Sequence, residues 1–175
     1  MKATLVAEGD RVTPVIRHAR AGDVDRLAEI GLRSWQSAIA GLADGEKMRR
    51  VAEAAFLRFL FDHWLSVLLV EGEGAICGWV ACENFDNAIS DLWIEPQLQG
   101  RGFGGLLLAE IERRIAADGF DAATTKTHAR NDRAVRFFRN HGYGVSWLST
   151  AYAPQLDSDV AFIGLSKSLE QSPDH

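Results

Sequence analysis

The sequence predicts a mixed α/β fold in a single domain over residues 1–175. Apolar residues make up 47% of the chain and charged residues 25%, as in an ordinary globular protein. Short apolar runs alternate with segments of helical spacing, and several strand-like runs follow one another in the middle of the chain. Because that central meander excludes a doubly wound parallel sheet, we expect a mostly antiparallel mixed sheet of about seven strands flanked by about four helices.

The first half of the chain contains two predicted helices between two predicted strands. Residues 15–19 are a short apolar run typical of a strand, and residues 67–70 are consecutive aliphatic residues typical of a buried strand. Between them, residues 23–35 and 46–64 place apolar side chains three and four positions apart, as amphipathic helices do. The glycine-containing stretch 41–45 separates these helices.

The second half continues the meander and adds two further helices. Residues 103–117 carry an apolar side chain on each turn, and Gly119 follows at the place where helices commonly end. Residues 131–140 form the last predicted helix, which ends before Gly142. We expect a domain core over about residues 15–167, with loose ends at 1–13 and 170–175. The predicted strands of this half are residues 75–82, 88–94, 122–127, 143–149 and 160–165.

Charge and cysteine content limit the classes of partner. The net charge is −5, whereas nucleic-acid binders usually present a basic surface, so we expect no nucleic-acid partner. No segment approaches the roughly 20 apolar residues of a membrane span, and the N-terminus has no secretory pattern. Cys77 and Cys82 are an odd number of residues apart on a predicted strand, which predicts opposite faces and no disulfide or metal site. These observations predict a cytoplasmic protein without a metal.

The segment Gln99–Gly105 carries the clearest functional signal in the chain. Its four glycines lie between a predicted strand and a predicted helix. Glycines allow the main chain to approach a ligand closely. The first N–H groups of a helix have no partner within the helix, and the helix dipole makes its N-terminus attractive to anions. The segment therefore predicts a site for a phosphorylated cofactor.

Three interpretations of this segment compete. The spacing Gly100-x-Gly102-x-x-Gly105 matches the dinucleotide fingerprint, and Asp118 or Asp121 lies where a ribose-binding acid would follow. A nicotinamide enzyme is therefore one hypothesis, although too few residues remain after it for a parallel sheet. A tight turn without a ligand is a second, and a phosphate-binding loop of another family is a third. A Walker loop is excluded because no Gly-Lys-Ser or Gly-Lys-Thr follows.

The third interpretation rests on a resemblance to a known family. Leu92-Trp93-Ile94-Glu95-Pro96 followed by Gln99-x-x-Gly102-x-Gly104 resembles the acyl-coenzyme A signature of the GNAT superfamily of N-acetyltransferases. The order of elements is similar as well, from residue 15 to about residue 167. Downstream, the last predicted helix resembles the corresponding helix of that family at Asn131, Ala134, Phe137, Phe138, His141-Gly142 and Tyr143.

The resemblance implies acetyl-coenzyme A (acetyl-CoA) as co-substrate. Main-chain N–H groups between Leu98 and Gly104 would hold its diphosphate. The fourth and fifth strands, 88–95 and 122–128, would splay apart, and the pantetheine arm would lie between them. The residues that the resemblance assigns to the cofactor are Trp93, Ile94, Gln99, Gly100, Arg101, Gly102, Phe103, Gly104 and Asn131. Asn131 also fits a plain helix N-cap.

The resemblance also implies transfer of the acetyl group to a primary amine by direct attack. Family members often use a tyrosine of the last helix as the acid toward sulfur, but Phe138 stands at that position here. The candidates for the base are Asp91, which alternation places on one face with Ile89 and Trp93, Glu83 and His128. Because Phe138 has no proton to donate, a non-catalytic acyl-CoA-binding module is the alternative hypothesis.

The acceptor is expected to be a small-molecule or peptide amine. Its pocket would come from the first two helices and from the loop at 150–158, with Trp35, His63 and Trp64 as the notable side chains. Trp35 and Trp64 fall at helical spacing with other apolar residues, which favours core packing for each of them. Homodimers are common in the family, so a homodimer is compatible with the resemblance.

Overall fold

The computed structural model of the protein describes residues 13–40, 45–153 and 158–169. The loose ends predicted at 1–13 and 170–175 lie, apart from Thr13, outside the described residues. The elements in chain order are β1 (Val15–His18), α1 (Val24–Ala38), α2 (Glu46–His63), β2 (Val67–Gly72), β3 (Ala75–Ala81), β4 (Ala88–Ile89), β5 (Asp91–Ile94), α3 (Phe103–Ala117), β6 (Ala122–His128), α4 (Asp132–Asn140), β7 (Gly144–Ala153) and β8 (Ser158–Ser168).

The predicted mixed α/β fold is confirmed, and its strands form two four-stranded sheets. The first sheet has the order β1-β2-β3-β5 and is antiparallel throughout. The second has the order β4-β6-β8-β7, in which β4 and β6 run parallel and the other pairs antiparallel. Since β5 pairs antiparallel with β3, the glycine segment does not follow a strand of a parallel half-sheet, and the nicotinamide interpretation is wrong.

The number of strands differs from the expected seven because the run 88–94 is interrupted at Ser90. The Ser90 N–H donates to the Ala81 carbonyl at 2.9 Å, which draws the chain from the second sheet to the first. Ala88 and Ile89 pair with Thr124 and Thr125. Residues 91–94 pair with β3 instead. The structure therefore divides one predicted strand between two sheets.

This division produces the splay that the resemblance implied between the fourth and fifth predicted strands. β4 and β6 start side by side, and then β5 continues along β3 while β6 continues along β8. Beyond the β4–β6 pair, β5 and the end of β6 each have, among the described residues, a strand partner on one side only. A wedge-shaped cleft consequently opens toward the C-terminal ends of β5 and β6.

Two hydrophobic clusters cover the two faces of the first sheet. On one face, α3 packs through an apolar stripe; on the other, α1 and α2 pack around Trp79, whose Nε1 donates to the Leu27 carbonyl at 2.9 Å. Burying an aliphatic side chain of this size contributes about 1.5–3 kcal/mol. The α3 stripe consists of Leu107, Leu108, Ile111 and Ile115.

The expectation that Cys77 and Cys82 face opposite sides is wrong. Val70 pairs with Gly78 while Glu71 pairs with Ile76, so Cys77 is an extra residue in a β-bulge. The bulge shifts the alternation of side chains by one position. Both cysteines therefore lie in the cluster beneath α3, and both are free thiols.

In the described ranges, no helix is both long and apolar enough to cross a bilayer.

Candidate functional site

The glycine segment lies at the mouth of the cleft. β5 leads through a short turn at Pro96–Leu98 into this segment, which opens α3, and β6 leads into α4. Gly100 has a φ of +78° and Gly102 a φ of +91°, a backbone region that favours glycine. A Cβ atom at either position would meet no atom within 4 Å. The main chain is thus exposed to an open space in front of the α3 N-terminus.

Main-chain N–H groups line this open space. Within the part of the chain that the structure describes, the N–H groups of residues 100–105 have no acceptor, and the next one, of Leu106, donates to the Gly102 carbonyl at 3.1 Å. Unpaired N–H groups at the first turn of a 15-residue helix carry partial positive charge and favour an anion. An anion such as a phosphate suits this arrangement, and the phosphate site stays a prediction.

Gly104 and Gly105 have a different role from Gly100 and Gly102. A Cβ atom at Gly104 would lie 3.1 Å from the Phe137 ring, and one at Gly105 would lie 3.1 Å from His141 Nε2. The last two glycines therefore allow α4 to pack closely against the first turn of α3. The sequence interpretation attributed the glycines of this segment to the approach of a ligand. In the structure, Gly100 and Gly102 leave the main chain accessible, whereas Gly104 and Gly105 permit close helix packing.

The other side chains of the segment point in different directions. Gln99 turns inward, and its Nε2 donates to the Ile94 carbonyl at 3.1 Å and to Ser34 Oγ at 3.3 Å. Gln99 Oε1 is buried without a hydrogen-bond partner among the described residues. Arg101 is exposed at the rim, whereas Phe103 packs against the core beneath α3.

Trp93 and Ile94 present the main chain of β5 to the cleft while their side chains anchor the strand. The Trp93 ring meets Phe56 edge-on, with ring centroids 5.3 Å apart, and Ile94 packs on the opposite face. Gly78 of β3 pairs with Ile94 of β5. A Cβ atom at Gly78 would lie 2.6 Å from the Trp93 carbonyl oxygen. A glycine at position 78 therefore lets β5 approach β3 fully.

Two predicted base candidates, Asp91 and Glu83, lie near each other. Asp91 Oδ1 accepts a hydrogen bond of 2.9 Å from Trp93 Nε1. Burial raises the pKa of the Asp91 carboxyl, the Trp93 hydrogen bond lowers it, and the negative charge of Glu83 raises it. Glu83 Oε1 lies 3.8 Å from His63 Nε2. Ile89 lies in the cluster beneath α3. The expectation that Ile89 and Asp91 share a face is therefore wrong, because the strand breaks at Ser90.

The third base candidate and Asn131 lie at the other wall of the cleft. His128 ends β6, and its Nδ1 accepts from the Arg130 N–H at 3.2 Å. In the described residues, no contact joins His128 to Asp91 or Glu83. Asn131 caps α4, since its Oδ1 accepts from the Ala134 N–H at 3.1 Å, as the N-cap interpretation predicted.

The aromatic residues of the last helix belong to the core. Phe138 is 6% exposed and packs edge-on against Tyr143, with ring centroids 5.1 Å apart. The Tyr143 hydroxyl donates to Glu112 Oε1 at 3.0 Å, and burial raises the pKa of this phenol. Neither side chain is therefore suited to donate a proton in the cleft.

A surface cavity of about 290 Å³ lies between the end of α1 and the start of α2. Trp35 lines it, whereas His63 lies near Glu83 at the other end of α2. The structure thus separates side chains that the sequence grouped in one acceptor pocket. Part of the predicted second wall, residues 154–157, is outside the described residues. The other residues that line the cavity are Gln36, Ile39, Ala40, Gly45, Glu46, Met48 and Arg49.

The ion pairs of Glu95 were not predicted from the sequence. Glu95 lies directly after β5, is 5% exposed and pairs with Arg26 and Arg33 of α1. The two arginines are seven positions apart, which places them on one face of a helix. That spacing was a usable signal, but nothing in the sequence connects it to an acid more than sixty residues later. Among the described residues, no three His, Cys, Asp or Glu side chains gather in a possible metal site.

Comparisons with known proteins agree with this geometry. The family model described as "Acetyltransferase (GNAT) family" matches residues 29–143. The comparison with curated protein sequences gave no match.

Among solved structures, three illustrate the similarity. A GCN5-related N-acetyltransferase from Rhodopseudomonas palustris has a TM-score of 0.72 at 23% identity, covering 93% of this chain and 99% of that one. The PaiA N-acetyltransferase of Thermoplasma acidophilum, solved with coenzyme A, has a TM-score of 0.73 at 18% identity, covering 89% and 99%. YncA from Salmonella typhimurium, a putative acetyltransferase solved with acetyl-CoA, has a TM-score of 0.67 at 17% identity, covering 93% and 98%. Since the family match spans well over half of the chain, the protein belongs to the acetyltransferase (GNAT) family and is an acyltransferase.

Proposed function

We propose that this enzyme transfers the acetyl group of acetyl-CoA to a primary amine by direct attack in a ternary complex. The observation that carries the proposal is the row of unpaired N–H groups at residues 100–105, at the mouth of two diverging strands. A diphosphate satisfies such a row, and an extended arm attached to it has an open wedge to enter. Two similar structures contain coenzyme A or acetyl-CoA, which supports this choice of co-substrate.

The chain's own groups would divide the binding of the co-substrate among them. The N–H groups of Gly100, Gly102 and Gly104 would bind the diphosphate, with the exposed Arg101 guanidinium at the rim. The main chain of Trp93 and Ile94 would pair with the pantetheine arm as a further strand, because this edge of β5 has no strand partner. Asn131 would contact the co-substrate from the start of α4.

The chemical step forms the amine N–C bond and breaks the thioester C–S bond. We assign Asp91 the removal of the amine proton through a water molecule, because burial raises the pKa of its carboxyl and thereby makes the carboxylate a stronger base. Glu83 lies beside it and raises that pKa further. The leaving thiolate takes its proton from solvent, since Phe138 has none to give. Free thiols have a pKa of about 8.5, so coenzyme A leaves tolerably as a thiolate.

Orientation of the two substrates supplies much of the catalysis in this scheme. Holding both reactants in place contributes as much as about 7–11 kcal/mol, whereas a positioned acid contributes about 10²–10⁴-fold in rate. Loss of the usual tyrosine therefore slows the reaction without abolishing it. The second candidate function, a non-catalytic acyl-CoA-binding module, is favoured by the burial of Phe138 and Tyr143 in the core.

The acceptor is proposed to be a small-molecule or peptide amine that is cationic in solution. The net charge of −5 and the neighbouring carboxylates of Asp91 and Glu83 favour the binding of a cation. A structural neighbour from Escherichia coli is named as an N-acetyltransferase of ribosomal protein S18 alanine, which supports a peptide amine as one class. Two free buried cysteines fit a reducing compartment, and we therefore propose the cytoplasm.

A binding measurement followed by an acceptor screen tests the proposal. Calorimetry with coenzyme A and with acetyl-CoA should give saturable binding of one molecule per chain. Release of free thiol from acetyl-CoA should then depend on one class within a panel of polyamines, amino acids, aminoglycosides and peptide N-termini. Tight binding without acceptor-dependent thiol release across this panel would favour the non-catalytic module. Absence of binding would contradict both candidates.

A further inference from the structure

The buried carboxylate of Glu95 pairs with two arginines of α1 that are themselves 39% and 44% exposed, and this pairing joins the glycine segment to α1. Arg33 holds its carboxylate with both ends of the guanidinium, Nε to Oε1 at 2.8 Å and Nη2 to Oε2 at 2.8 Å. Arg26 adds a bond from Nη2 to Oε2 at 3.1 Å. The Arg33 hydrogen bonds hold the pKa of this carboxyl below its usual value. Glu95 is therefore ionised and fixed in orientation.

The main chain of Glu95 is fixed as well. Its N–H donates to the carbonyl of Cys77, the extra residue of the β3 bulge, at 2.9 Å, and its carbonyl accepts from the Leu98 N–H at 2.8 Å. The second bond closes the short turn that leads into the glycine segment. Gln99 then makes another link to α1, through Ser34. Both ends of the turn at 96–98 are thus attached to neighbouring residues of one helix.

The glycine segment has little to hold it in place on its own. Gly100 and Gly102 have no side chains, and the N–H groups of residues 100–105 make no bond within the described part of the chain. The ion pair of Glu95 adds little net stability, because burying the carboxylate costs free energy that its attraction to the two arginines offsets. The bidentate geometry of the Arg33–Glu95 pair, however, fixes the relative orientation of the two side chains.

We infer that Glu95 is a positioning residue for the co-substrate site. Its ion pair with Arg33 and Arg26 holds the turn at 96–98 against α1, so that the N–H groups of residues 100–105 are already aimed at the diphosphate before it binds. The identity of the ligand in this inference rests on the proposed function. The inference about the loop itself concerns the free protein and is measurable without any ligand.

Amide hydrogen exchange in the free protein tests the loop directly. In Glu95→Gln, the N–H groups of residues 95 and 98, which donate to the carbonyls of Cys77 and of residue 95, should exchange at least about tenfold faster than in the wild type. Loss of the carboxylate charge weakens the bonds to both arginines, so the turn opens more often. Arg26→Gln, which leaves the Arg33 fork intact, should give a smaller increase and serves as the milder variant if Glu95→Gln folds poorly.

The matched control is Glu112→Gln. Glu112 also has a well-buried carboxylate, 12% exposed, paired with Lys167 at 2.8 Å, but it lies along α3 away from the glycine segment. This variant should lose comparable stability in thermal unfolding while exchange of the N–H groups of residues 95 and 98 stays as in the wild type. Equal acceleration in both carboxylate variants, or none in Glu95→Gln, would overturn the inference.

Binding then separates this inference from the proposed function. For Glu95→Gln, the Kd for coenzyme A should rise about tenfold and the KM for acetyl-CoA with it, while kcat at saturation changes less than threefold. Faster exchange with an unchanged Kd would overturn the positioning role. A wild type that binds no coenzyme A would contradict the proposed function, and exchange of the N–H groups of residues 95 and 98 would still decide whether Glu95 holds the turn.

Discussion

Trp93 donates a hydrogen bond of 2.9 Å from its Nε1 to Oδ1 of Asp91, two residues earlier on the same face of β5. The indole is itself fixed by Phe56 of α2, so the carboxylate is held by the aromatic packing of the α1–α2 face. This bond favours the ionised carboxylate, whereas burial and Glu83 favour the protonated form. Two neighbours of Asp91 thus have opposite effects on its pKa.

The opposite effects predict opposite shifts of the pH–rate profile. Because the base must be ionised, kcat/KM for the amine should fall on the acid side with the pKa of Asp91. Trp93→Phe removes a bond to the ionised form and should move this limb to higher pH. Glu83→Gln removes a like charge and should move it to lower pH. Profiles of both variants check this, and shifts in the same direction would contradict the role of Asp91 as base.

Asp91→Asn should lower kcat by about 10²–10⁴-fold, the usual contribution of a positioned general base. The amide is isosteric and keeps the acceptor for Trp93 Nε1, so the KM for acetyl-CoA should change little. Steady-state kinetics with the best acceptor provide the measurement. Glu83→Gln is the control, since its exposed carboxylate is the lesser candidate, and a kcat that is unchanged in Asp91→Asn would remove Asp91 from the mechanism.

Gly102→Val should weaken coenzyme A binding by about 100-fold or more, because a side chain in the open space displaces the anion from several N–H groups worth about 1.5–3 kcal/mol each. A residue with φ of +91° is also strained once it has a β-branched side chain. Gly74→Val controls for that strain, since Gly74 has a φ of +78° in the β2–β3 turn and open space around its Cβ. Calorimetry should show normal affinity for the control, and weak binding by both variants would point to general destabilisation.

Gly78→Ala should destabilise the protein by about 1–3 kcal/mol, the usual cost of overpacking. The new methyl group would meet the Trp93 carbonyl oxygen at 2.6 Å and the Ile94 side chain, so β5 would have to move away from β3. Chemical denaturation measures the free energy of unfolding. Gly144→Ala is the matched control, because its Cβ would meet no atom within 4 Å, and equal stability of the two variants would contradict the predicted clash.

Both cysteines should be unreactive in the native protein. Burial raises the pKa of the Cys82 thiol to about 12 and also raises that of Cys77, so almost no thiolate is present at pH 8. Ellman's reagent should therefore report no protein thiols in buffer and two in denaturant. Rapid labelling of the native protein would contradict the burial of these thiols and would complicate the free-thiol assay.

The local sequence pattern was sufficient to predict most of the elements and the glycine-rich opening of α3. The helix at 103–117 is found at the predicted bounds, because an apolar side chain on each turn and a following glycine act within one segment. The positive φ angles and the unpaired first-turn N–H groups of the glycine segment are likewise properties of the local chain, whereas the phosphate site itself stays a prediction. Asn131 as N-cap is a further local feature that the sequence predicted.

Other features depend on residues that are distant in the sequence. The division of 88–94 at Ser90 is decided by the competition of two sheets for one strand, and the shared face of Cys77 and Cys82 is decided by a bulge in the pairing of β2 with β3. The Glu95–Arg33 pair joins α1 to the turn before α3. The sequence by itself determined which segments are helix or strand and where an anion is attracted, because those properties arise within a few consecutive residues. Only the tertiary structure decided which side chains meet across the cleft, because register and long-range charge pairing are set when separate segments pack together.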